Sequence, residues 1–406
     1  MVEHDFPLHI VVVNYVYDDD LASPQQALER YFLLTGWSAG LLAAGARVTV
    51  ACRFCHDATV EQHGVPYHFV ADHHPPWPHR TYVPHHLHRA VLDCCARALA
   101  RGEQPVVHVN GLLFPLATRL LTARLSRAAR ARHRVPVVAR HRIPVVAQHH
   151  AEPPWRGRGA VLQRWGLAPV DGFFFASREL AHEWVACGTI RSIDRVHEVM
   201  EASSPFHFEE RAAARACTGL IGDPVILWTG NLNANKDPLT ILSGFERLLE
   251  RFPRARLYMA YRYADLLPRV EARIGASESL RSTVALLGEI AYAGIEAYYN
   301  SADFFVQGSA REGSGLALLD AMACGVVPVV TDIPSFRTLT DGGRVGAIWR
   351  RGDPDAFVSA FFQAASRPLD LASQQTRGYF ETTWSPPALG RRAVAAYRDV
   401  LRAGAR

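Results

Sequence analysis

Lysine is nearly absent from this 406-residue chain. Its 44 lysine and arginine side chains include a single lysine, Lys236. Arginine serves the general purposes of a basic surface residue, whereas an ammonium is a compact point charge on a flexible stem. The exception therefore indicates a confined site that needs a small cation at Lys236. A lysine retained by chance is the alternative.

Long apolar runs are absent as well. No stretch approaches the ~20 apolar residues that are needed to cross a bilayer. The first residues, MVEHDFPLHIVVVN, hold two acids and no basic segment ahead of the apolar run, which argues against a signal peptide. The sequence therefore predicts a cytoplasmic protein.

The cysteines form no disulfide framework. There are seven, and Cys52 and Cys55 make a lone C-x-x-C pair without a second pair at zinc-finger distance. None of the 19 histidines stands in the H-E-x-x-H pattern of a helical zinc site. These absences predict reduced thiols, no metal site and no cofactor.

Acidic residues are missing between Glu103 and Glu152. Leucines at helical spacing interleave with the first arginines of this stretch, which predicts a basic amphipathic helix suited to an anionic membrane surface. A solvated helix face packed on a sheet is the alternative. Nucleic-acid binding is not expected, because no recognised binding motif accompanies the basic residues. The arginines are Arg119, Arg124, Arg127, Arg130, Arg132, Arg134, Arg140 and Arg142, and the leucines are Leu116, Leu120, Leu121 and Leu125.

Short β-branched runs alternate with helical stretches along the chain, as is typical of parallel sheets covered by helices. After Met200 the sequence becomes polar and irregular, and the alternation starts again at Val225. This pattern predicts an α/β protein with two Rossmann-like domains that face each other across a cleft, joined by a hinge near residues 203–207. The first domain is expected over residues 1–203 and the second over 204–384. No G-x-G-x-x-G motif is present, which argues against an NAD-dependent dehydrogenase.

The strands and one long helix can be placed more closely. A helix is predicted from Pro24 to Ala44, with Pro24 at its first turn and Gly45 as its C-terminal cap. Of the repeated segments HRVPVVA (133–139) and HRIPVVA (141–147), only one is needed as a strand, and the other is expected to be a duplicated edge segment or a loop. Strands are predicted at Leu8–Val13, Arg47–Cys52, Val106–Val109, Val145–Gln148, Phe173–Ala176, Val196–Met200, Val225–Trp228, Arg256–Ala260, Thr283–Leu287, Phe304–Gln307 and Pro328–Thr331.

The segment GSAREGSGLALLDAMACGVVPVVTD, residues 308–332, is predicted to contain a strand end, a loop, a helix and a further strand. Gly313, Ser314 and Gly315 leave little side-chain bulk ahead of the helix. A ligand can therefore approach the open backbone N–H groups of the helix start, where the helix dipole also favours an anion. A pyrophosphate fits this description.

Two acids flank this helix start. Glu312 precedes it, and Asp320 lies five residues beyond Gly315, about 7.5 Å along the helix axis. A buried acid needs a hydrogen-bonding partner, and vicinal hydroxyls of a sugar or a ribose can both donate to one carboxylate. We expect both acids to bind a ligand. Solvated acids near a helix start are the alternative.

These residues resemble the E-x7-E region of retaining glycosyltransferases of family 4, which have the two-Rossmann-domain fold called GT-B. The motif is carried by Glu312-Gly313-Ser314-Gly315-Leu316, Asp320-Ala321-Met322-Ala323, Gly325 and Pro328-Val329-Val330. The segments WTGNLNANKDPLTIL (228–242), LLGEI (286–290) and ADFFVQGS (302–309) are also similar to that family, so that about 180 residues carry the resemblance. It implies that residues 385–406 form a helix that returns to the first domain.

The resemblance also implies roles for single residues. Glu312 would bind hydroxyls of the donor sugar, Asp320 the ribose and Lys236 the diphosphate, with the backbone of Gly313, Ser314, Gly315 and Leu316 completing the phosphate site. Tyr261-Arg262 and Glu289-Ile290 would lie near the base. In the first domain, His149 and His150 follow a predicted strand where the family places a histidine close to the donor sugar, and either one is the candidate.

Three features depart from the family pattern. Asn231 replaces an arginine, so that one diphosphate cation is missing, Asp320 is shorter than the usual glutamate by one methylene, and no glycine pair follows the first strand.

The predicted function is a metal-independent, retaining glycosyltransferase acting on a UDP- or GDP-linked sugar. Its acceptor would be a glycan, a lipid-linked molecule or a small molecule, in glycan, glycolipid or polysaccharide biosynthesis. The alternatives are a nucleotide-sugar epimerase of the same fold and a non-catalytic nucleotide-sugar-binding protein.

Overall fold

The chain folds into two compact units. The computed structural model describes residues 6–72, 79–131 and 142–404. One unit comprises Met1–Ala202 together with Pro386–Arg406, and the other comprises Ser203–Ser385. Each unit has its own sheet, so the position of every candidate site residue can be described from the strands of its own unit.

Eight strands within the described residues form the sheet of the first unit, in the spatial order β3-β4-β2-β1-β5-β6-β7-β8. Neighbouring strands run parallel except β3 and β4, which form an antiparallel pair at one edge. The strands are β1 Leu8–Asn14, β2 Arg47–Phe54, β3 Ala58–Gln62, β4 Val65–Ala71, β5 Gln104–Asn110, β6 Val145–Gln148, β7 Gly172–Phe175 and β8 Val196–Glu198.

The central strand β1 is buried along its whole length, as expected for a parallel strand covered by helices on both faces. The covering helices are α1 Pro24–Arg30, α2 Phe32–Ala43, α3 His85–Ala100, α4 Pro115–Ala131, α5 Arg158–Leu167, α6 Arg178–Ala186 and, from the end of the chain, α16 Pro386–Gly404. Helix α16 packs closely on α2, because Gly40 and Gly390 have no side chains to separate the two backbones. Near its end, Tyr397 Oη lies 2.7 Å from His108 Nδ1.

The sequence-based prediction for the first unit was wrong at two places. The single helix expected from Pro24 to Ala44 is two helices, because Tyr31 adopts a non-helical conformation with φ −101° and ψ 37° between α1 and α2. The antiparallel pair β3–β4 was not predicted. Strand β3 alternates half-buried and exposed residues and has no continuous apolar run, so its sequence lacks the pattern of a buried strand.

The second unit contains six described strands in the order β11-β10-β9-β12-β13-β14, and every neighbouring pair is parallel. They are β9 Val225–Gly230, β10 Arg256–Tyr261, β11 Val284–Gly288, β12 Phe304–Gln307, β13 Val327–Thr331 and β14 Ala347–Trp349. The strand order reverses at β9. In open parallel sheets, ligands bind at the carboxyl ends of the strands beside such a reversal.

Nine helices of the described chain complete the second unit. The core between them and the sheet is built from large buried side chains such as Trp228, Phe245 and Phe361. The helices are α7 Arg211–Thr218, α8 Pro238–Leu248, α9 Leu267–Gly275, α10 Glu278–Thr283, α11 Tyr292–Ser301, α12 Leu316–Ala323, α13 Pro334–Leu339, α14 Pro354–Ala365 and α15 Leu369–Thr383.

The structure confirms the predicted class, an α/β protein with two parallel-sheet units. Strand ends differ from the predicted ones by one or two residues at most positions, and Val145–Gln148 and Phe304–Gln307 agree at both ends. Of the repeated segments, the second supplies β6, and the first lies outside the described residues. All seven cysteines are free thiols. Across the described part of the chain, no helix is long and apolar enough to span a membrane.

Candidate functional site

Two loops meet at the carboxyl edge of the second sheet, one after β9 and one after β12. Asn235 joins them: its side-chain amide donates to the Arg311 carbonyl at 3.0 Å, and its carbonyl oxygens accept from the backbone N–H groups of Ala310 and Arg311. These hydrogen bonds within the protein hold the two loops together. This arrangement places the residue after Asn235, which is Lys236, next to the residue after Arg311, which is Glu312.

Lys236 and Glu312 form an ion pair in this corner. Lys236 Nζ lies 2.5 Å from Glu312 Oε1, and the two side chains are only 15% and 14% exposed. The lysine stem passes over Gly230 at the end of β9, where an added Cβ would approach Lys236 Cε to 3.3 Å. Because an ammonium has three N–H donors, Lys236 can hold Glu312 and still donate to an anionic ligand.

The helix that follows, α12, starts at the glycine-rich segment. Gly315 caps it in the left-handed region, with φ 63° and ψ 45°, and no side-chain cap covers the start of the helix. The amides of the first turn have no acceptor within their own helix. Ser335 fixes the approach to this turn, because its hydroxyl donates to the Glu312 carbonyl at 2.7 Å.

Asp320 points into the interior of the second unit and is 3% exposed. Its Oδ1 accepts hydrogen bonds from the Ser204 hydroxyl at 2.6 Å and from the Tyr292 hydroxyl at 3.2 Å. Tyr292 in turn stacks on Phe206, with ring centroids 4.9 Å apart. Burial raises the pKa of Asp320 to about 7, although the two hydroxyl donors act in the opposite direction. Two protein hydroxyls therefore already bind one carboxylate oxygen of Asp320, the residue that is predicted to bind the ribose.

The raised pKa of Asp320 predicts how stability changes with pH. The folded carboxyl holds its proton up to about pH 7, whereas the unfolded one releases it near its ordinary value of 3.8. The folded state therefore binds more protons between these values, and the free energy of unfolding should fall as pH rises from about 4 to about 7. Asp320→Asn should remove this fall and be more stable at pH 8 by an amount on the order of a few kcal/mol.

The measurement is urea unfolding of wild type and variant between pH 4 and pH 8. Asp355→Asn is the control, because the Asp355 side chain is 82% exposed and its substitution should leave the pH slope unchanged. Equal slopes for wild type and Asp320→Asn would show that the buried carboxyl does not govern this titration.

The remaining predicted donor-site residues follow the neighbouring strands. Arg262 and Glu289, after β10 and β11, form an exposed ion pair with Arg262 Nε 3.1 Å from Glu289 Oε1. Ile290 comes next and is half-buried. Asn231, which stands where the family has an arginine, follows β9. Its backbone carbonyl accepts from the N–H of Asn233, and this contact helps to shape the loop that carries Lys236.

In the first unit, the two candidate histidines differ in surroundings. His149 is 1% exposed. Its ring stacks on Phe175 at 4.4 Å, and its Nε2 lies 3.0 Å from the Glu152 carbonyl. Burial lowers the pKa of His149. Its environment is that of a neutral, packed histidine.

His150 has the more polar environment. Its Nδ1 lies 2.9 Å from Glu201 Oε2, its Nε2 lies 2.6 Å from Asn110 Oδ1, and the side chain is 34% exposed. Burial alone would lower the pKa of His150, but the carboxylates of Glu201 and Glu152 outweigh it and raise the pKa. Of the two histidines, His150 is the one that lines a cavity of about 570 Å³ in the first unit.

The structure brings most of the predicted residues together within their own units. Lys236, Glu312 and the segment from Gly313 to Leu316 share one corner of the second unit. The sequence did not identify the residues that position them or complete the candidate sites, because each acts through a backbone or side-chain contact and belongs to no motif. These residues are Ser204, Asn235, Tyr292 and Ser335 in the second unit, and Asn110, Glu152 and Glu201 in the first.

The predicted basic helix is present as α4. Leu121 and Leu125 are buried within the first unit, so at least part of its apolar side packs on the protein. Arg119 lies over the Trp165 ring at 4.8 Å, and Arg142 pairs with Asp171 at 3.1 Å. Arg132, Arg134 and Arg140 lie outside the described residues.

An α/β unit whose carboxyl-edge loops present a lysine, an acid and a glycine-capped helix start is built like a binding site for phosphorylated ligands. Comparison with known proteins defines the class further. Residues 223–366 match the family model of the glycosyl transferases group 1. The matched segment lies entirely within the second unit.

Curated relatives agree with the family model. The chain is 31% identical over 179 residues to a GDP-mannose:cellobiosyl-diphosphopolyprenol alpha-mannosyltransferase of Xanthomonas oryzae pv. oryzae, covering 43% of this chain and 47% of the relative. It is 34% identical over 114 residues to a mannosylfructose-phosphate synthase of Agrobacterium fabrum, covering 26% of this chain and 25% of that protein. The matches thus span about half or less of these relatives.

Solved structures show the fold over nearly the whole chain. A sucrose-phosphate synthase from Thermosynechococcus elongatus superposes with a TM-score of 0.64 at 17% identity, covering 98% of this chain and all of that one. The Anabaena protein HepE, in complex with UDP and glucose, superposes with a TM-score of 0.64 at 14% identity, covering 97% and 100%. The chain therefore has the GT-B fold of such glycosyltransferases.

Proposed function

We propose that this protein is a retaining glycosyltransferase that moves a sugar from a nucleoside-diphosphate donor to a hydroxyl acceptor. The observation that carries the proposal is the Lys236–Glu312 pair beside the start of α12, within the segment that matches the group 1 glycosyl transferases. A shielded ammonium, an acid and helix-start amides in one corner are suited to a diphosphate with an attached sugar.

The leaving nucleoside diphosphate gains negative charge as its bond to the sugar breaks. Catalysis therefore depends on groups that stabilise that charge. Lys236 and the first-turn amides of α12 supply them without a metal. Glu312 would accept hydrogen bonds from hydroxyls of the donor sugar and at the same time hold Lys236 in place. Asp320 would accept from the ribose hydroxyls once its carboxyl is ionised.

The first unit would bind the acceptor. His150 is the stronger of the two histidine candidates, since it lines the cavity and carries the Glu201 carboxylate on its Nδ1. We assign His149 to positioning, because it is packed on Phe175 and bonded to the backbone. Arg262 with Glu289 and Ile290 would contact the base.

The names of the relatives support a role in glycan, glycolipid or polysaccharide biosynthesis, with a GDP- or UDP-linked donor. A cytoplasmic location, with peripheral contact of the 119–142 stretch on an anionic membrane, belongs to the same proposal. Within that stretch, Arg119, Arg124 and Arg142 have local partners. Membrane contact would therefore fall to its other arginines.

The test is a binding and turnover screen of UDP-, GDP-, ADP- and dTDP-sugars with the purified chain in the presence of EDTA. One nucleotide class should bind well above the others, and transfer to an acceptor panel should persist with EDTA because Lys236 and the helix amides replace a cation. Loss of turnover in EDTA with recovery on added Mg²⁺ would contradict the metal-independent mechanism. Absence of binding by all four classes would contradict the function.

A non-catalytic nucleotide-sugar-binding protein is the second candidate. It is favoured by Asn231, which removes one family cation, and by Asp320, whose Oδ1 is already bound by two protein hydroxyls. The same screen separates the two functions. Tight donor binding without transfer, hydrolysis or epimerisation across the acceptor panel would establish the binding protein.

A further inference from the structure

The cavity of the first unit has a carboxylate built into its wall. Glu152 Oε1 accepts from the backbone N–H of Leu112 at 2.8 Å, and Oε2 accepts from the backbone N–H of His150 at 2.6 Å. These two amides follow β5 and β6 at the carboxyl edge of the sheet, which is where α/β proteins bind anionic ligands. The amides that could bind a phosphate are therefore occupied by an acid of the protein.

The other charges around the cavity do not compensate for this acid. The Glu201 carboxylate is paired with His150 and adds a second negative group to the lining. Among the described residues that line the cavity, Arg30 is the one arginine or lysine. Its side chain is 57% exposed, and its Nε lies 3.9 Å from Asp18 Oδ2. Phosphate sites use converging cations or free amides, whereas the basic side chains Arg30 and His150 of this cavity each already face a carboxylate.

Much of the remaining lining is apolar or aromatic and includes Phe32, Leu34, Trp37 and Phe114. The polar side chains of His108, Asn110 and Gln148 also line the cavity. Aromatic rings provide flat apolar surfaces on which the carbon face of a sugar ring or an alkyl chain can pack. The volume of about 570 Å³ lies within the range of small-molecule pockets. It leaves room for an apolar group next to a ring.

Two buried polar atoms on this wall have no protein partner within the described residues. Gln148 is 2% exposed, and its Nε2 is turned toward the backbone carbonyls of His149, Phe174 and Val199. Because all three partners are acceptors, the amide nitrogen must face them. The amide oxygen is then directed elsewhere and is left unsatisfied, as is the hydroxyl of Tyr31. Both atoms are covered by protein in this conformation, so neighbouring side chains must shift slightly before a ligand hydroxyl can donate to the first and accept from the second.

We infer that this cavity binds a neutral, hydroxylated ring carried on an apolar group, and that Glu152 excludes phosphorylated acceptors from it. The inference rests on the proposed function for the cavity's role as an acceptor site. It implies that this chain differs in its acceptor from any transferase whose acceptor places a phosphate in this cavity. The hydroxyls would meet Gln148 and Tyr31, and the apolar group would lie on the aromatic wall.

The experiment compares octyl glucoside, below its micelle concentration, with glucose 6-phosphate as ligands of the full chain, by isothermal titration. Wild type should bind octyl glucoside at least 10-fold more tightly. Glu152→Ala exposes the two amides and removes one negative charge, so the preference should shift toward glucose 6-phosphate by about 10-fold or more. The control is Glu29→Ala, which removes an exposed acid of α1 outside the cavity and should leave the preference unchanged.

Tyr31→Phe tests the hydroxyl contacts by removing one oxygen. Octyl glucoside should bind about 3- to 10-fold more weakly, as for one neutral hydrogen bond, and the melting temperature should not fall, because that hydroxyl has no described protein partner. Tyr263→Phe, at an exposed residue of the second unit, is the matched control and should bind as wild type does. If Glu152→Ala does not fold, the wild-type preference and Tyr31→Phe decide the question.

The outcomes keep this inference apart from the proposed function. Tighter binding of glucose 6-phosphate by wild type, or unchanged binding by Tyr31→Phe, overturns the inference even if UDP or GDP binds to the second unit. Failure of every nucleotide to bind, with octyl glucoside still preferred, overturns the transferase and leaves the cavity as a glycoside-binding site.

Discussion

Lys236→Arg should lower kcat by about 100-fold or more while the protein stays folded. Loss of one preorganised group that stabilises developing charge costs roughly 10²–10³ in kcat. Arginine keeps the charge, but its planar guanidinium is larger and spreads that charge over a fork. The lysine stem lies over Gly230, and its ammonium is 2.5 Å from Glu312 in a corner only 15% exposed. A guanidinium would have to displace Glu312 or the diphosphate.

The measurements are kcat and the melting temperature, with the donor that the nucleotide screen selects. Arg247→Lys is the matched control, because Arg247 forms an exposed ion pair with Asp355 on the outside of the same unit. It should change neither quantity. Wild-type kcat in Lys236→Arg would mean that any cation serves at this position, and it would remove the inference drawn from the single lysine.

Gly315→Ala should destabilise the second unit by roughly 2–5 kcal/mol and abolish donor binding. Gly315 has φ 63°, and left-handed backbone costs a residue with a Cβ about 1–2 kcal/mol. The new Cβ would also lie 3.0 Å from Leu339 Cδ1 and 3.1 Å from Phe336 Cε1. Both neighbours are fully buried, so overpacking adds about 1–3 kcal/mol. The start of α12 would shift to relieve the contact, and its amides would leave the phosphate position.

Urea unfolding measures the stability change, and titration with UDP and GDP measures donor binding. Gly275→Ala provides the control, because Gly275 ends helix α9 and has no heavy atom within 4 Å of an added Cβ. That variant should be neutral or stabilised by up to about 1 kcal/mol. Wild-type stability of Gly315→Ala would contradict the packing of α12 against α13.

The fold was predictable because its signals are local. Buried parallel strands are short β-branched runs, and β6 and β12 were placed at both ends from such runs alone. The break at Tyr31 was not predictable, because the apolar pattern continues through it from Leu28 to Leu34 and no proline or glycine marks it. Strand β3 was not predicted because its residues are half-buried or exposed and form no apolar run.

The candidate site was predictable to the level of residue types. The scarcity of lysine singled out Lys236, and the glycine-rich segment identified the helix start with Glu312 beside it. The partners were not predictable, because Asn235, Ser335 and Ser204 are ordinary polar residues until the loops bring them within hydrogen-bonding distance. The same holds for Glu152. In the sequence it only ends a stretch without acids, whereas in the structure its carboxylate accepts from the backbone N–H groups of Leu112 and His150.

The amino-acid sequence by itself determined the α/β class and the residues that can neutralise a diphosphate, since both follow from patterns within short segments. Only the tertiary structure decided which of these residues touch. Lys236 and Glu312 are 76 positions apart, and they meet because parallel strands bring their following loops to one edge of the sheet. Burial, which depends on every surrounding element, decided the protonation of Asp320 and the different surroundings of His149 and His150.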